Sequence, residues 1–223
     1  MQTEALQALA ASPLAKGIEE AELAKLFASS RVQLRHYGRG ELLFHAGDAP
    51  ERLYVLVKGR VHVLQDTLSG RQIFITEITA AGDMFGEVYL FMGAPAYDMY
   101  AEAAEDTEVL SLERGLFSLA EETAGGVAAA MQRNLLRVFA GKAYFLSRRV
   151  RVLASGSLRG KLARWLLQGP AAPELSRDAL AAELAVTRPS LSRELAAMQA
   201  EGLLRLDGRR IAVSDREGLE QYL

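Results

Sequence analysis

Short runs of β-favouring residues, separated by glycine, fill the chain from about residue 32 to residue 112. Apolar and polar residues alternate in several of them, which is the period of a half-buried strand. The runs are Val32–His36, Leu42–His45, Leu53–Val57, Val61–Leu64, Ile73–Ile78 and Thr107–Leu112. The glycines able to supply the positive φ of a tight turn are Gly38, Gly40, Gly47, Gly59, Gly70 and Gly82. Evenly spaced short strands without long helices between them predict a sandwich, a jelly roll or a small barrel.

Helical patterns flank the strand region on both sides. From Ala128 to Leu153 no proline interrupts the chain, and apolar residues recur near heptad spacing. The predicted seam consists of Met131, Leu135, Val138, Phe139, Leu146, Val150 and Leu153, with Lys142 as an interruption. A long helix with such a stripe needs a partner, so we predict a homodimer through it. The alternative is that the stripe only covers the strand domain.

Composition excludes several classes of protein. None of the 223 residues is cysteine, which excludes disulfide scaffolds, iron–sulfur clusters, Cys-ligated zinc and thiol catalysis. No histidine-rich spacing predicts a metal site, and no catalytic motif is present. The N-terminal residues lack the pattern of a signal peptide, and the apolar stretches are too short to cross a bilayer. We therefore expect a cytoplasmic protein without membrane contact.

The charges are distributed unevenly along the chain. Residues 147–223 carry 13 basic and 9 acidic side chains, net +4, whereas residues 1–146 carry 13 and 19, net −6. An acidic front joined to a basic back suggests that the two parts have different partners.

Two short helices separated by a tight turn are predicted between residues 176 and 201. Ser176 can cap the first helix, Ala185-Val186 makes the turn, and Thr187 can cap the second helix. Pro189 falls in the first turn of the second helix, where its missing N–H costs nothing. Asp207-Gly208 then joins two β-favouring runs and is a strong hairpin signal.

The outward face of the second helix suits the major groove of double-stranded DNA. Leu191, Leu195 and Met198 share the core face, so Arg193 points outward, where its planar fork can bind guanine. Arg209 and Arg210 follow the hairpin turn and suit a wing that touches the DNA backbone. The predicted DNA-contacting residues are Arg177, Thr187, Arg188, Pro189, Ser190, Ser192, Arg193, Arg209 and Arg210. The alternative is an ordinary helical hairpin with a solvated charged face.

Together these motifs resemble the cyclic-AMP receptor protein and fumarate–nitrate reduction regulator (CRP/FNR) family of bacterial transcription factors. The matching segments are Gly40–Asp48, Leu53–Val61, Gly82–Glu87, Leu175–Leu195 and Glu201–Leu204. The resemblance implies an α+β chain that binds a palindromic operator as a homodimer, with RNA polymerase as a further candidate partner. It also implies a jelly-roll sensor domain over residues 1–122, a dimerisation helix over 123–154 and a winged helix-turn-helix over 155–223.

Cyclic-AMP-binding members of that family follow Gly-Glu, about ten residues later, with an arginine that pairs with the cyclic phosphate. Here Gly86-Glu87 is present, but Tyr97-Asp98-Met99 stands at that place, and no Arg or Lys lies between Arg71 and Arg114. Burying a phosphate against a carboxylate without a cation is unfavourable, so we predict an effector other than a cyclic nucleotide. The candidate pocket residues are Phe85, Gly86, Glu87, Tyr89, Tyr97, Asp98, Met99, Tyr144 and Ser147.

The mode of control stays open at this point. An unknown small molecule such as an organic acid is one candidate effector, and haem held by His36, His45 or His62 is another. A third interpretation is a regulator that needs no effector and is controlled by its own abundance. An interior filled by aromatic side chains favours this third interpretation, whereas an open pocket with convergent polar groups favours an effector.

Overall fold

The computed structural model describes residues 2–117, 126–168 and 176–223. The chain divides into two compact units, Met1–Phe139 and Ala140–Leu223. The boundary predicted at residue 122 lies outside the described residues. The sequence also predicts a helical region that opens over residues 117–121 and a loop over 169–173, and of these only Phe117 is described. By sequence the first unit carries 12 basic and 19 acidic side chains, net −7, and the second carries 14 and 9, net +5.

The first unit begins with helices and continues as eight strands in two sheets. Its helices are α1 (Gln2–Ala11), a short 3-10 turn (Pro13–Ala15) and α2 (Glu20–Phe27). The strands are β1 (Val32–Tyr37), β2 (Leu42–Phe44), β3 (Arg52–Lys58), β4 (Val61–Asp66), β5 (Gln72–Ile78), β6 (Met84–Phe85), β7 (Tyr100–Ala103) and β8 (Thr107–Glu113). One helix, α3 (Glu87–Met92), lies between β6 and β7, and a second 3-10 turn (Arg114–Phe117) follows β8.

Two antiparallel four-stranded sheets confirm the predicted jelly roll. Their strand orders are β1-β8-β3-β6 and β2-β7-β4-β5. Six of the eight strands lie where the sequence predicts them, and β6 and β7 were not predicted. Both are short, and the residues of β7 alternate aromatic or acidic with alanine, which is a weak signal without its neighbours β2 and β4.

Two clusters of buried side chains hold the first unit together. One lies between the two sheets and contains Phe44, Leu56, Val61, Ala101 and Val109. The other joins α1, α2 and the start of a long helix to the outer face of the first sheet. The long helix, α4, runs over Val127–Leu153 without interruption.

The first part of α4 corrects the predicted seam. Met131 and Leu135 are 0% and 3% exposed in the core of the first unit, so they were wrongly assigned to a partner interface. Asn134, buried between them, donates from Nδ2 to the Leu14 and Lys16 carbonyl oxygens at 2.9 and 2.8 Å and fixes this face inward. The reason is that an apolar heptad pattern does not say which surface it covers.

The remaining apolar positions on α4 form a different stripe. Leu136, Leu146 and Val150 are 70%, 59% and 65% exposed, which is far more than a core residue shows. Residues 136, 139, 143, 146, 150 and 153 repeat at alternating steps of three and four, which is heptad spacing. We call Leu136, Phe139, Ala143, Leu146, Val150 and Leu153 the α4 stripe. It keeps four of the predicted seam residues, adds Leu136 and Ala143, and omits Val138 and Lys142.

The second unit is a helical domain with a two-stranded sheet. Its elements after α4 are α5 (Leu158–Gln168), α6 (Arg177–Glu183), α7 (Arg188–Ala200), β9 (Leu204–Asp207), β10 (Arg210–Val213) and α8 (Arg216–Glu220). Leu162, Leu180, Leu195 and Ile211 meet in one core. Among the described residues, no helix is both long enough and apolar enough to span a bilayer.

Candidate DNA-binding surface and sensor cassette

Helices α6 and α7 form a helix-turn-helix whose ends are capped as the sequence predicts. Ser176 Oγ accepts from the Ala179 backbone N–H at 3.1 Å, and Thr187 Oγ1 accepts from the Ser190 N–H at 3.4 Å. In the turn between the helices, Ala185 has a φ of 51°, which is a left-handed conformation seldom taken by alanine. The caps and this turn set the angle at which α7 leaves α6.

The two faces of α7 are clearly divided. Leu191, Leu195 and Met198 are completely buried in the core of the unit. Pro189, Ser192 and Arg193 are exposed on the opposite face. No described residue forms an ion pair or hydrogen bond with Arg193, so its guanidinium group is available to an external acceptor. The face therefore presents short side chains and one unengaged arginine, as a helix in the major groove requires.

Other predicted DNA contacts take part in local interactions. Arg188 lies 3.5 Å from Asp178, and both side chains are more than 60% exposed, so a phosphate can replace this pair at little cost. The Thr187 and Ser190 hydroxyl oxygens lie 2.9 Å apart at the start of α7.

The hairpin β9–β10 forms a wing beside the helix-turn-helix. Gly208, with a φ of 56°, makes the turn, and Arg209 and Arg210 are exposed at its end. Arg177 is half-buried, and its Nη2 donates to the Gly208 carbonyl oxygen at 3.3 Å. Arg177 thus braces the wing against α6, which was not part of the sequence prediction.

In the first unit, the segment that resembles a nucleotide-binding cassette surrounds Gly86. This residue precedes α3 with a φ of 79°, and a side chain there would crowd the Tyr54 ring at 3.2 Å. Glu87 follows and is only 3% exposed. Glycine is therefore required at position 86 by both its backbone conformation and its surroundings.

Aromatic rings fill the space between the sheets next to Gly86. Ring centroids are 4.0 Å apart for Phe44 and Tyr97, 5.2 Å for Tyr54 and Phe85, and 5.8 Å for Phe44 and Tyr54. All four residues are less than 10% exposed. We call Phe44, Tyr54, Phe85 and Tyr97 the aromatic plug. Two of the predicted pocket residues, Phe85 and Tyr97, therefore pack as core residues.

Burial raises the pKa values of tyrosines in and beside the cassette. Burial raises the pKa of Tyr54 to about 12, and it also raises the pKa of Tyr97 well above its ordinary value. The Tyr97 hydroxyl is buried and has no hydrogen-bond partner among the described residues. It lies 3.5 Å from where a Cβ at position 86 would stand, so it is directed toward the start of α3.

Asp98 stands where the resemblance expects a cation. Its Oδ1 accepts a hydrogen bond from the Tyr89 hydroxyl. Burial, followed by this bond, raises the pKa of Tyr89 to about 12. Residues 72–113 contain nine acidic side chains and no Lys or Arg, so the charged side chains that this part of the chain offers to an anion are all carboxylates.

The remaining candidate effector residues are dispersed. Met99 is half-buried, whereas Tyr144 and Ser147 are exposed on α4 and belong to the second unit. His62 Nε2 lies 3.0 Å from Glu77, His36 Nδ1 lies 3.3 Å from Glu108, and His45 is exposed. Among the residues described, no three His, Asp or Glu side chains are arranged to hold a metal ion.

Sequence analysis missed residues in both sites. Phe44 and Tyr54 of the aromatic plug lie on strands that the sequence predicted, but only the folded sheets bring them to Gly86. In the helical domain it missed Arg159, whose contacts with α7 depend on two elements far apart in the chain.

Comparison with known proteins places these observations in one family. Residues 34–119 match the family described as the cyclic nucleotide-binding domain, and residues 160–222 match the Crp-like helix-turn-helix domain. The Cyclic AMP receptor protein of Thermus thermophilus is 30% identical over 225 residues, covering 94% of this chain and 96% of that protein. The CRP-like cAMP-activated global transcriptional regulator of Mycobacterium tuberculosis is 27% identical, covering 95% of this chain and 96% of its own length.

Solved structures show the same likeness. The crystal structure of the Thermus thermophilus Catabolite Activator Protein has a TM-score of 0.53 and 27% identity, covering 95% of this chain and 98% of that one. The structure of DNR from Pseudomonas aeruginosa, with a TM-score of 0.52 and 23% identity over 97% of this chain and 96% of its own, supports the fold alone. Because both domain families match in order and a 30% identical relative matches over nearly its full length, the chain belongs to the CRP/FNR family of transcription regulators.

Proposed function

We propose that this regulator binds a palindromic DNA operator as a homodimer and that its sensor domain does not respond to cyclic nucleotides. The observation that carries the DNA-binding proposal is the outward face of α7, with Arg193 unengaged beside a wing that ends in Arg209 and Arg210. The family consists of transcription regulators and not of enzymes. We place the action of this protein in the cytoplasm, where bacterial DNA is found.

The α4 stripe supports the homodimer. Exposed leucine and valine side chains at heptad spacing favour the pairing of two identical helices, because each copy buries the other's apolar surface. A two-fold dimer presents its two α7 helices to two half-sites related by the same symmetry, with a spacing of one helical turn of DNA or a multiple of it.

The proposed base contact is made by Arg193. A guanidinium group can donate two hydrogen bonds to guanine O6 and N7, and the short Ser192 and Pro189 side chains allow α7 to approach closely. Arg188, Arg209 and Arg210 are proposed to bind phosphates, which adds affinity without sequence preference.

The cassette supports control without a cyclic nucleotide. One relative reported above is named a cAMP-activated regulator and another a cyclic AMP receptor protein. In this chain Asp98 stands where the family motif has a phosphate-binding cation, and the aromatic plug occupies the space between the sheets. The plug favours control by protein abundance over control by an effector bound in the cassette. The proposal that haem is bound through histidine has less support, because His36 and His62 are engaged with carboxylates.

The test begins with selection of bound sequences from a duplex pool randomised over about 30 base pairs, or three helical turns. Anisotropy titrations then compare the selected duplex with a scrambled one between about 50 and 200 mM salt, with and without cyclic AMP. The Arg193→Ala variant is compared with Arg216→Ala, which removes an exposed arginine on α8 whose one partner within the described ranges is Glu220.

We expect the selected sequence to be palindromic and its affinity to be unchanged by cyclic AMP. Arg193→Ala should weaken binding by about 1–3 kcal/mol and relax the preference at one base pair per half-site. Arg216→Ala should bind as the wild type does. Selection of no consensus would overturn the DNA-binding proposal, and tighter binding with cyclic AMP would overturn the proposal on control.

A further inference from the structure

One arginine outside the helix-turn-helix holds α7 at two points. Arg159, near the start of α5, donates from Nε to Glu194 Oε1 at 2.6 Å. Its Nη1 and Nη2 donate to the two carboxylate oxygens of Glu201 at 2.7 and 2.8 Å. The Tyr222 hydroxyl accepts a further bond at 3.3 Å, and the guanidinium carbon lies 5.2 Å from the Tyr222 ring centroid.

This geometry is stronger than an ordinary surface ion pair. The Arg159 and Glu194 side chains are only 23% and 25% exposed, so water screens their attraction less than it screens a solvated pair. The contact with Glu201 is bidentate, and such paired bonds fix direction as well as distance. The hydrogen bonds to Glu201, Glu194 and Tyr222 also raise the pKa of Arg159.

The two carboxylates lie two turns apart on α7. Glu194 follows Arg193 directly, and Glu201 is the C-terminal cap of the helix. Seven residues correspond to about 10 Å along a helix axis, so one guanidinium group fixes α7 against both sliding and rolling. The apolar contacts of Leu191, Leu195 and Met198 bury an adjacent face of α7 but have no comparable directionality.

We infer that Arg159 is a positioning residue for DNA reading: by clamping Glu194 and Glu201 it sets where α7 presents Arg193. This inference rests on the proposed function, because it concerns the same recognition surface. A base contact depends on placement to within a fraction of an ångström, whereas a phosphate contact tolerates small shifts. We call the contacts of Arg159 with Glu194 and Glu201 the clamp. Loosening the clamp should therefore reduce discrimination between DNA sequences more than it reduces general affinity for DNA.

Arg159→Lys is the central variant. Lysine keeps the positive charge, but its single ammonium group cannot reproduce a planar fork that binds two carboxylates at once. Glu201→Gln is the second variant, because it weakens the clamp from the other side while leaving Arg159 and Glu194 in place. It also removes a negative charge, which by simple electrostatics would tighten DNA binding, so weaker discrimination in this variant has to come from the clamp.

Arg164→Lys is the matched control. Arg164 lies on the same helix and is also half-buried, but its described bonds go to Ser155 Oγ and the Leu223 carbonyl oxygen and not to α7. Thermal melting of each variant establishes that the domain is folded under the assay conditions.

The measurement is a double-mutant cycle on the duplex selected by the wild-type protein, with a scrambled duplex alongside. We expect Arg159→Lys to weaken binding to the selected duplex by about 5- to 50-fold and to change binding to the scrambled duplex less than about twofold. Glu201→Gln should lower the ratio of the two affinities in the same direction, and Arg164→Lys should leave it unchanged. In an Arg193→Ala background, Arg159→Lys should have no further effect, because the contact it positions is already gone.

The inference is overturned if Arg159→Lys weakens binding to the selected and the scrambled duplex equally, or if it has the same effect with and without Arg193. Either result would assign Arg159 a purely structural role. If the wild-type protein selects no consensus, the proposed function fails first and the inference fails with it. If Arg193→Ala weakens the selected complex while Arg159→Lys and Glu201→Gln leave discrimination unchanged, only the inference fails.

Discussion

At the scale of single residues, the cassette differs from the motif of cyclic-AMP-binding members of the family in a few side chains. Gly86 and Glu87 match the expected motif in sequence, and their local geometry is consistent with it. Yet Tyr97 packs on Phe44 and Asp98 accepts from Tyr89, so the chemistry at this place is aromatic and acidic. The missing cation was evident from the sequence, whereas the packing of Tyr97 was not, because its neighbours come from distant strands.

The Tyr97 hydroxyl leads to the first prediction. It is buried without a hydrogen-bond partner among the described residues, and such a group costs free energy when it leaves water. We expect Tyr97→Phe to raise the free energy of unfolding by about 0.5–1 kcal/mol in urea denaturation, although most core substitutions destabilise. Tyr54→Phe is the comparison. A loss of 1 kcal/mol or more in Tyr97→Phe would show that the hydroxyl has a stabilising partner.

A buried carboxylate leads to the second prediction. Glu108, with a side chain 5% exposed, lies 2.5 Å from Lys58 Nζ and 3.3 Å from His36 Nδ1. The hydrogen bond from Lys58 lowers the pKa of Glu108 below its usual 4.5. A lowered folded-state pKa stabilises the protein above the unfolded-state value, and this contribution is lost as the pH falls through the folded-state value.

Glu108→Gln should therefore lower the free energy of unfolding by about 1 kcal/mol at pH 7. This difference from the wild type should become progressively smaller as the pH falls below about 4.5. Urea denaturation of both proteins from pH 7 down to pH 3 measures this difference. A difference that stays constant across the range would contradict the assignment of the stabilisation to the ionised carboxylate.

At the scale of elements, periodicity predicted the type of each long segment better than its orientation. Six strands, the long helix, both caps of the helix-turn-helix and the wing hairpin follow from local pattern and turn residues. The strands β6 and β7 and the short helices α3 and α8 were not predicted, because segments of two to six residues carry little periodic signal. The predicted seam on α4 was wrong at Met131 and Leu135, since Asn134 and the core of the first unit, not the heptad alone, decide which face turns inward there.

The turn between α6 and α7 leads to the third prediction. Ala185 adopts a left-handed conformation that costs an L-residue about 1 kcal/mol and costs glycine almost nothing. Glycine also makes the unfolded chain more flexible, and this offsets about half of the free energy gained by relieving the left-handed alanine. We expect Ala185→Gly to raise the melting temperature of the helix-turn-helix domain by a few degrees, with Ala182→Gly, inside α6, lowering it. A lower melting temperature for Ala185→Gly would contradict this account.

At the scale of the whole molecule, the α4 stripe is the feature that one chain leaves incomplete. Leu136, Ala143, Leu146 and Val150 of this stripe are exposed over about four turns of helix, and in the proposed homodimer a second copy covers them. Dimerisation and DNA binding are then coupled, because two half-sites are bound together far more tightly than one.

The fourth prediction follows from this coupling. Leu146→Glu places two carboxylates in the middle of the proposed helix pair, so the variant should sediment as a monomer and lose at least about tenfold in affinity for a palindromic duplex. Arg151→Glu, which adds the same group away from the stripe, should remain a dimer. A Leu146→Glu protein that sediments as a dimer would rule out the α4 stripe as the interface.

The unequal charge of the two units has a consequence for how such a regulator searches a chromosome. Residues 140–223, net +5, are attracted to any phosphate backbone, whereas residues 1–139, net −7, are repelled from it. This repulsion weakens binding to arbitrary sequence and to the proposed operator alike, because the phosphate backbone is the same in both. Because a genome offers millions of competing sites, the base contacts proposed for α7, and not the net charge of either unit, have to supply the ratio of specific to non-specific affinity.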